Sequence, residues 1–123
     1  MSFERRQRAN LLGLRAETIA VLLLRLKGWR ILARNYKVPG GEIDIVALRG
    51  QVVAFVEVKA RPTMDGALSA IDATKRRRIS RAASQWLTQN GWAMSRTLRG
   101  DAICIAPGCW PRHEVAVVEM RMG

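Results

Sequence analysis

The sequence predicts an α/β domain, and three observations carry that expectation. An apolar pattern at helical spacing runs over residues 6–27, a Val- and Ile-rich pair of runs fills 42–61, and a second helical pattern spans 73–90. Two shorter β-like runs, 101–106 and 114–120, close the chain. The 123 residues fit a single domain, 1–123, large enough to bury a core without disulfide staples.

In the first helix Leu12, Ala16, Ile19, Leu23 and Leu26 step by threes and fours, and Gly28 supplies the stop. Residues 19–24 are apolar on nearly every side, which predicts cover on more than one face. Glu17 has no basic residue three or four positions away to pair with it. It is either a carboxylate at the edge of the apolar face or an acidic group reaching a site elsewhere. Residues 29–36 read as a first strand, with Arg30 and Arg34 alternating onto one solvent-facing side.

The two runs of 42–61 read as an antiparallel hairpin entered through Pro39, Gly40 and Gly41 and broken at Arg49-Gly50. Alternation groups Glu42, Asp44, Val46 and Leu48 on the first strand, and Val53, Phe55, Glu57 and Lys59 on the second. Pairing Leu48 with Gln51 sets Glu42 opposite Glu57; pairing Leu48 with Val53 sets Asp44 opposite Glu57 and Glu42 opposite Lys59. Either even register gathers the four charged groups on one side, whereas an odd loop would separate them. Like charges opposite one another are destabilising, and carboxylates among apolar residues are costly to bury unpaired. A hard divalent cation would neutralise them, and such cations serve phosphate-ester chemistry.

Beyond Arg61, Pro62 ends the strand, residues 67–71 read as a helical turn, and Asp72 is placed to cap the second long helix, closed by Gly91. Ile79, Ala82, Ala83, Trp86 and Leu87 form its buried stripe. Its first turns carry Lys75, Arg76, Arg77 and Arg78, cations that oppose the helix dipole. They form either a solvated face or a phosphate-facing one, and the arrangement's local cost favours phosphate. The net charge of +11 and pI near 11.4 point the same way, to a polyanionic partner with nucleic acid ahead of an anionic membrane surface.

The apolar run 19–24 is too short to span a bilayer, and no targeting segment is evident, so the expectation is a cytoplasmic protein with no membrane partner. Cys104 and Cys109 read as reduced thiols. With His113 the sole histidine and no second Cys pair, a zinc site is not expected.

The spacing Asp44 then Glu57-x-Lys59 resembles the core of the PD-(D/E)xK nucleases, the restriction-endonuclease-like superfamily. The longer strings Gly41-Glu42-Ile43-Asp44 and Phe55-Val56-Glu57-Val58-Lys59-Ala60-Arg61 are similar to the YraN family, small bacterial proteins related in pattern to archaeal Holliday-junction resolvases. Gly13 to Glu17 matches the family's Gly-x-x-x-Glu helix, and Lys75 its Lys-rich helix start. The resemblance covers roughly residues 10–90. It departs at Gly100, where the family has Phe before Asp101, and at Ala60, where it often has Thr or Ser; Asp101 is accordingly read as structural.

The resemblance implies a three-layer α-β-α fold with a mixed central sheet flanked by helices, and a metal-dependent endonuclease acting on DNA ahead of RNA, branched DNA included. Asp44 and Glu57 would hold Mg²⁺ or Mn²⁺ with a carbonyl near Val58 and with Glu17. Lys59 would orient water or stabilise charge, and Glu42 would be a partner of Lys59 or an outer ligand. Lys75, Arg76, Arg77, Arg78 and Arg61 would hold phosphates, and a symmetric junction would suit a homodimer. Two other readings stand beside this one. The first is a non-catalytic nucleic-acid-binding module on the same fold. The second is a structural cluster in which Lys59 neutralises Glu57 and Arg61 neutralises Asp44.

Overall fold

A computed structural model describes the backbone of residues 3–71 and 73–118, with side chains over 15–71 and 77–117. The expected cap at Asp72, and the side chains of Leu12, Lys75 and Arg76, lie outside the described residues. In chain order the elements are α1 (Phe3–Leu26), β1 (Arg30–Val38), β2 (Gly41–Arg49), β3 (Val52–Ala60), α2 (Met64–Ser69), α3 (Ala73–Gln89), β4 (Thr97–Ile105) and β5 (Arg112–Val118), with a 3-10 turn at Gly91–Ser95. The strands form one mixed sheet in the order β1-β2-β3-β4-β5. Only β3 and β4 run parallel, because α2 and α3 provide the long crossover that a parallel pair requires. Among the described residues the fold is therefore mixed α/β, with five strands and three α-helices.

Each face of the sheet has its own core. On one, α3 sets Ile79, Ala82, Ala83, Trp86 and Leu87 against Val46, Val53 and Phe55, the stripe read from its sequence. On the other, α1 packs Ala20, Val21 and Leu24 against Ile45, Ala47, Ala54 and Val56. The predicted α1 stripe is corrected here. The covered side is Ala16, Glu17, Ala20, Val21 and Leu24, while Ile19 and Leu26 are 40% and 87% exposed, as is Leu22 at 54%. A run apolar on all sides does not mark its own inner face, and the small residues Ala16 and Ala20 let helix and sheet approach. Nor is that run covered on more than one face within this chain.

Gly28 ends α1 at φ +89°, a backbone region that suits glycine. Its amide bonds the Arg25 carbonyl and the Trp29 amide bonds Leu24 (3.0 and 2.9 Å), a Schellman termination in which Trp29 and Leu24 also share the α1 core. The strand itself starts at Arg30, one residue later than expected.

The hairpin takes one of the two even registers: Leu48 pairs with Val53 and Arg49 with Val52, around a Gly50-Gln51 turn with Gly50 at φ +58°. Strand β4 starts at Thr97, four residues before the expected 101, because parallel pairing to β3 recruits the polar stretch Thr97–Gly100.

Gly41 is where α3 meets the hairpin. A Cβ there would run into the Arg78 carbonyl oxygen and lie 3.0 Å from the Ala82 nitrogen, helix backbone that cannot swing aside. Gly41→Ala is expected to cost about 1–3 kcal/mol through this overpacking, read as a lower midpoint in urea unfolding with an unchanged slope.

The candidate acidic cleft

Strands β1 and β2 do not stay flat. A bulge between Ile31 and Ala33 shifts the register, so Arg30 stands opposite Leu48 and Arg34 opposite Ile45. Leu48 packs against the α3 core and Ile45 lies in the α1 core, so Arg30 and Arg34 point to opposite faces. The expectation that they share a solvent-facing side is overturned by that extra residue. A second irregularity follows at Asn35, whose φ of 50° lies in the left-handed region that Asn tolerates better than most side chains. Asn35 sits between the pairs Arg34–Ile45 and Tyr36–Ile43. Across it, Ile43 has turned into the α3 core although Ile45 belongs to the other. Asp44 is the residue at which β2 changes face.

The backbone pairing between β2 and β3 runs from Arg49–Val52 to Ile45–Val56. At the next step the Val58 amide donates to the Asp44 carboxylate at 2.7 Å, a side chain taking the place of a strand carbonyl. The parted strands leave a cleft of about 230 Å³ lined by Glu42, Asp44, Glu57, Val58 and Ile79. Extending the observed register sets Asp44 opposite Glu57, the second of the two arrangements read from the sequence.

Burial, and then the neighbouring charges of Glu57, Glu17 and Glu42, raise the Asp44 carboxyl above 3.8, outweighing the Val58 amide that lowers it. Three carboxylates from α1, β2 and β3 thus act on Asp44, and a proton or a cation there relieves the repulsion. Lys59 is almost fully buried and its ammonium meets Glu57 Oε1 at 2.7 Å. Glu17, 9% exposed, receives Arg34 Nε at 3.3 Å. Glu42 pairs at 3.8 Å with Arg78 of α3, both half-exposed.

The structure therefore brings Glu42, Asp44, Glu57 and Val58 into one cleft, with Lys59 bound to Glu57 and Glu17 within the electrostatic reach of Asp44. Arg77 and Arg78 are exposed on α3, and Arg61 is exposed at the end of β3, where its Nη1 donates to the Ala60 carbonyl. Glu42 takes its charge partner from α3, a consequence of the Gly41 contact that lays the start of β2 against that helix.

The donor set suits a hard cation on chemical grounds. Mg²⁺ is ordinarily held by one or two carboxylates together with water and substrate phosphates. Asp44 and Glu57 supply two carboxylates, Val58 supplies backbone beside them, and the Asp44 carboxyl is raised by burial first and by its carboxylate neighbours second. Among the described residues no three His, Cys, Asp or Glu side chains converge on a single ion position, so Glu17 adds to the field rather than to a ready-made ligand cage.

Sequence reading passed over one polar cluster, in which Asp101 is fully buried. It accepts from Arg99 Nε and Nη2 at 2.9 and 3.0 Å, from the Ala116 amide at 3.0 Å, and pairs with His113 Nε2 at 2.7 Å. The Lys27 ammonium, 2.6 Å from His113 Nδ1, can only donate, which leaves Nε2–H to donate to Asp101. These partners are up to 15 residues from Asp101 and cross the β4–β5 irregularity between Gly100 and Ala102. The expected structural role for Asp101 matches this geometry. No described helix is long and apolar enough to cross a membrane.

A family model described as "Uncharacterised protein family UPF0102" matches residues 16–105. Among curated relatives, a UPF0102 protein of Methylocella silvestris is 58% identical over 111 residues, covering 90% of each chain. One of Methylobacterium nodulans is 55% identical over 117 residues, 94% of this chain and 91% of its own. One of a Chelativorans species is 49% identical over 108 residues, covering 88% and 87%.

Proposed function

The chain belongs to the UPF0102 family, the YraN-like group, and on that premise we propose that it is a metal-dependent endonuclease of the restriction-endonuclease-like kind. It would hydrolyse phosphodiester bonds in nucleic acid, DNA first, with structured or branched DNA within its range. One observation carries the reading: Asp44 and Glu57 line the same cleft at the point where β2 and β3 part, with Lys59 held against Glu57. A purely structural cluster fits less well. Lys59 pairs with Glu57, Arg61 turns to the Ala60 carbonyl instead of to Asp44, and Asp44 keeps a raised carboxyl.

Asp44 and Glu57, with the Val58 carbonyl, would hold Mg²⁺ or Mn²⁺. Bound there, the ion would polarise a phosphoryl oxygen and lower the pKa of bound water. The Lys59 ammonium, buried beside Glu57, would donate to a phosphate oxygen or orient the attacking water. Exposed Arg77, Arg78 and Arg61 would neutralise backbone phosphates, giving affinity without sequence preference.

The test uses the whole chain with linear duplex, single-stranded and four-way-junction DNA and an RNA of matched length, each with Mg²⁺, Mn²⁺ or EDTA. The reading predicts cleavage that EDTA abolishes, and the preferred substrate names the class. Salt-sensitive binding of every substrate with no cleavage under any metal would replace the enzyme by a binding module.

A further inference from the structure

Arg34 is a cation that the fold brings to Glu17, and the bulge that precedes it in β1 is what turns it there. Without the Ile31–Ala33 bulge, Arg34 would share a face with Arg30, away from α1. Asn35, immediately after it, holds a left-handed conformation that most side chains avoid. Bulges beside functional sites commonly re-aim a side chain, and here the re-aimed one meets a carboxylate that is 9% exposed. The pair is exposed on the Arg34 side and buried on the Glu17 side, so the contact compensates a carboxylate that water reaches poorly.

We infer that Arg34 is a positioning residue for the acidic cleft: it tethers Glu17 through Nε and presents its remaining guanidinium donors to a nucleic-acid phosphate. This deepens the proposed nuclease reading and rests on it. The Arg34 side chain is 45% exposed against 11% for Glu17, so one edge of the fork is engaged while much of the group faces solvent. Its charge compensates one of the carboxylates that bear on Asp44 and so weakens cation binding. A guanidinium fork can serve a carboxylate and a phosphate from different edges. The residue would thus couple the acidic centre to the substrate backbone.

Removing it has two effects of opposite sign, which loss of a merely structural contact would not produce. In calorimetric titration of Mn²⁺ into the whole chain, Arg34→Ala should bind the ion roughly fivefold more tightly than wild type, the gain shrinking as salt is raised. In EDTA, the same variant should bind a duplex oligonucleotide more weakly, with the salt dependence of affinity reduced by about one phosphate contact. Arg34→Lys, which keeps the charge, should hold ion affinity within about twofold of wild type but recover oligonucleotide affinity only in part, because an ammonium lacks the fork. Mn²⁺ affinity that is unchanged or weaker in Arg34→Ala, while wild type binds the ion and cleaves DNA, overturns this inference alone. A wild type that binds no Mn²⁺ overturns it together with the nuclease reading.

Discussion

Asp44→Asn is expected to abolish cleavage, by at least about a thousandfold, while leaving nucleic-acid binding in EDTA unchanged. The magnitude follows from the several kcal/mol of transition-state charge stabilisation that a well-held ion provides, about 4 kcal/mol being a thousandfold in rate. Asn keeps the size of the side chain, and its carbonyl can still accept from the Val58 amide that Asp44 holds at 2.7 Å. What it loses is charge. The same substitution should make the metal-free protein more stable, an outcome unlike that of most active-site lesions. Because burial and its carboxylate neighbours raise Asp44, the folded state binds more protons than the unfolded state above 3.8. Wild-type stability therefore falls as pH rises from 3.8 through the folded value, and the penalty persists at neutral pH. Asn never incurs it. Thermal melts at pH 7 in EDTA should show Asp44→Asn a few degrees above wild type, with the gap closing in acid. A lower melting temperature for the variant would mean that the carboxylate is a net structural asset.

The second large effect belongs to Asp101. Asp101→Ala leaves the Arg99 guanidinium and the Ala116 amide without their acceptor and His113 Nε2 without its partner, all around a side chain with no solvent exposure. Breaking a buried pair on one side costs about 3–5 kcal/mol. At this chain length that corresponds to a fall in melting temperature of roughly 10–20 °C. The pH dependence runs opposite to that of Asp44. Burial alone would raise the Asp101 carboxyl, but hydrogen bonds from His113, Arg99 and the Ala116 amide outweigh it and hold the carboxyl below 3.8. The unfolded state then binds more protons between the folded value and 3.8, so the contribution is full above 3.8 and lost as pH falls through the folded value. Wild type should lose this stability in acid, and Asp101→Ala should lack that part of the acid transition. An Asp101→Ala protein that melts within 2 °C of wild type would show that β5 is held by other contacts.

These two aspartates mark how far the sequence could be read. Asp44 was legible because its spacing to Glu57 and Lys59 lies within one hairpin, where period-two alternation and an even turn constrain everything local. The stripe of α3 was legible because polar residues separate Ile79, Ala82, Ala83, Trp86 and Leu87 from the other face. The inner face of α1 was not, since Ile19, Leu22 and Leu23 are as apolar as Val21 and Leu24. The Asp101 cluster joins residues as distant in sequence as Lys27 and His113, and no local spacing announces such a meeting. Arg34 was hidden for a different reason. Its direction depends on the bulge between Ile31 and Ala33, and strict alternation assigns it to the wrong side.

The rotation at Asn35 and Asp44 also explains why so few residues suffice for the cleft. Because β2 changes face there, its start is pressed onto α3 through Gly41, and Glu42 reaches Arg78. The strand beyond stays locked to β3 through Ile45 and Val56. Acidic residues of the hairpin thereby lie between a basic helix start and the Glu17–Arg34 pair. On the proposed reading, that layout would give a cation a carboxylate floor and a phosphate chain flanking positive charge.

The most direct test of the central claim is the position of a bound ion. Crystals of the wild-type chain soaked in Mn²⁺ would be measured for anomalous scattering, beside crystals of Asp44→Asn. The account predicts an anomalous peak in contact with the carboxylates of Asp44 and Glu57 in wild type, and none there in the variant. No peak in the cleft at saturating Mn²⁺, or an equal peak in both proteins, would contradict it.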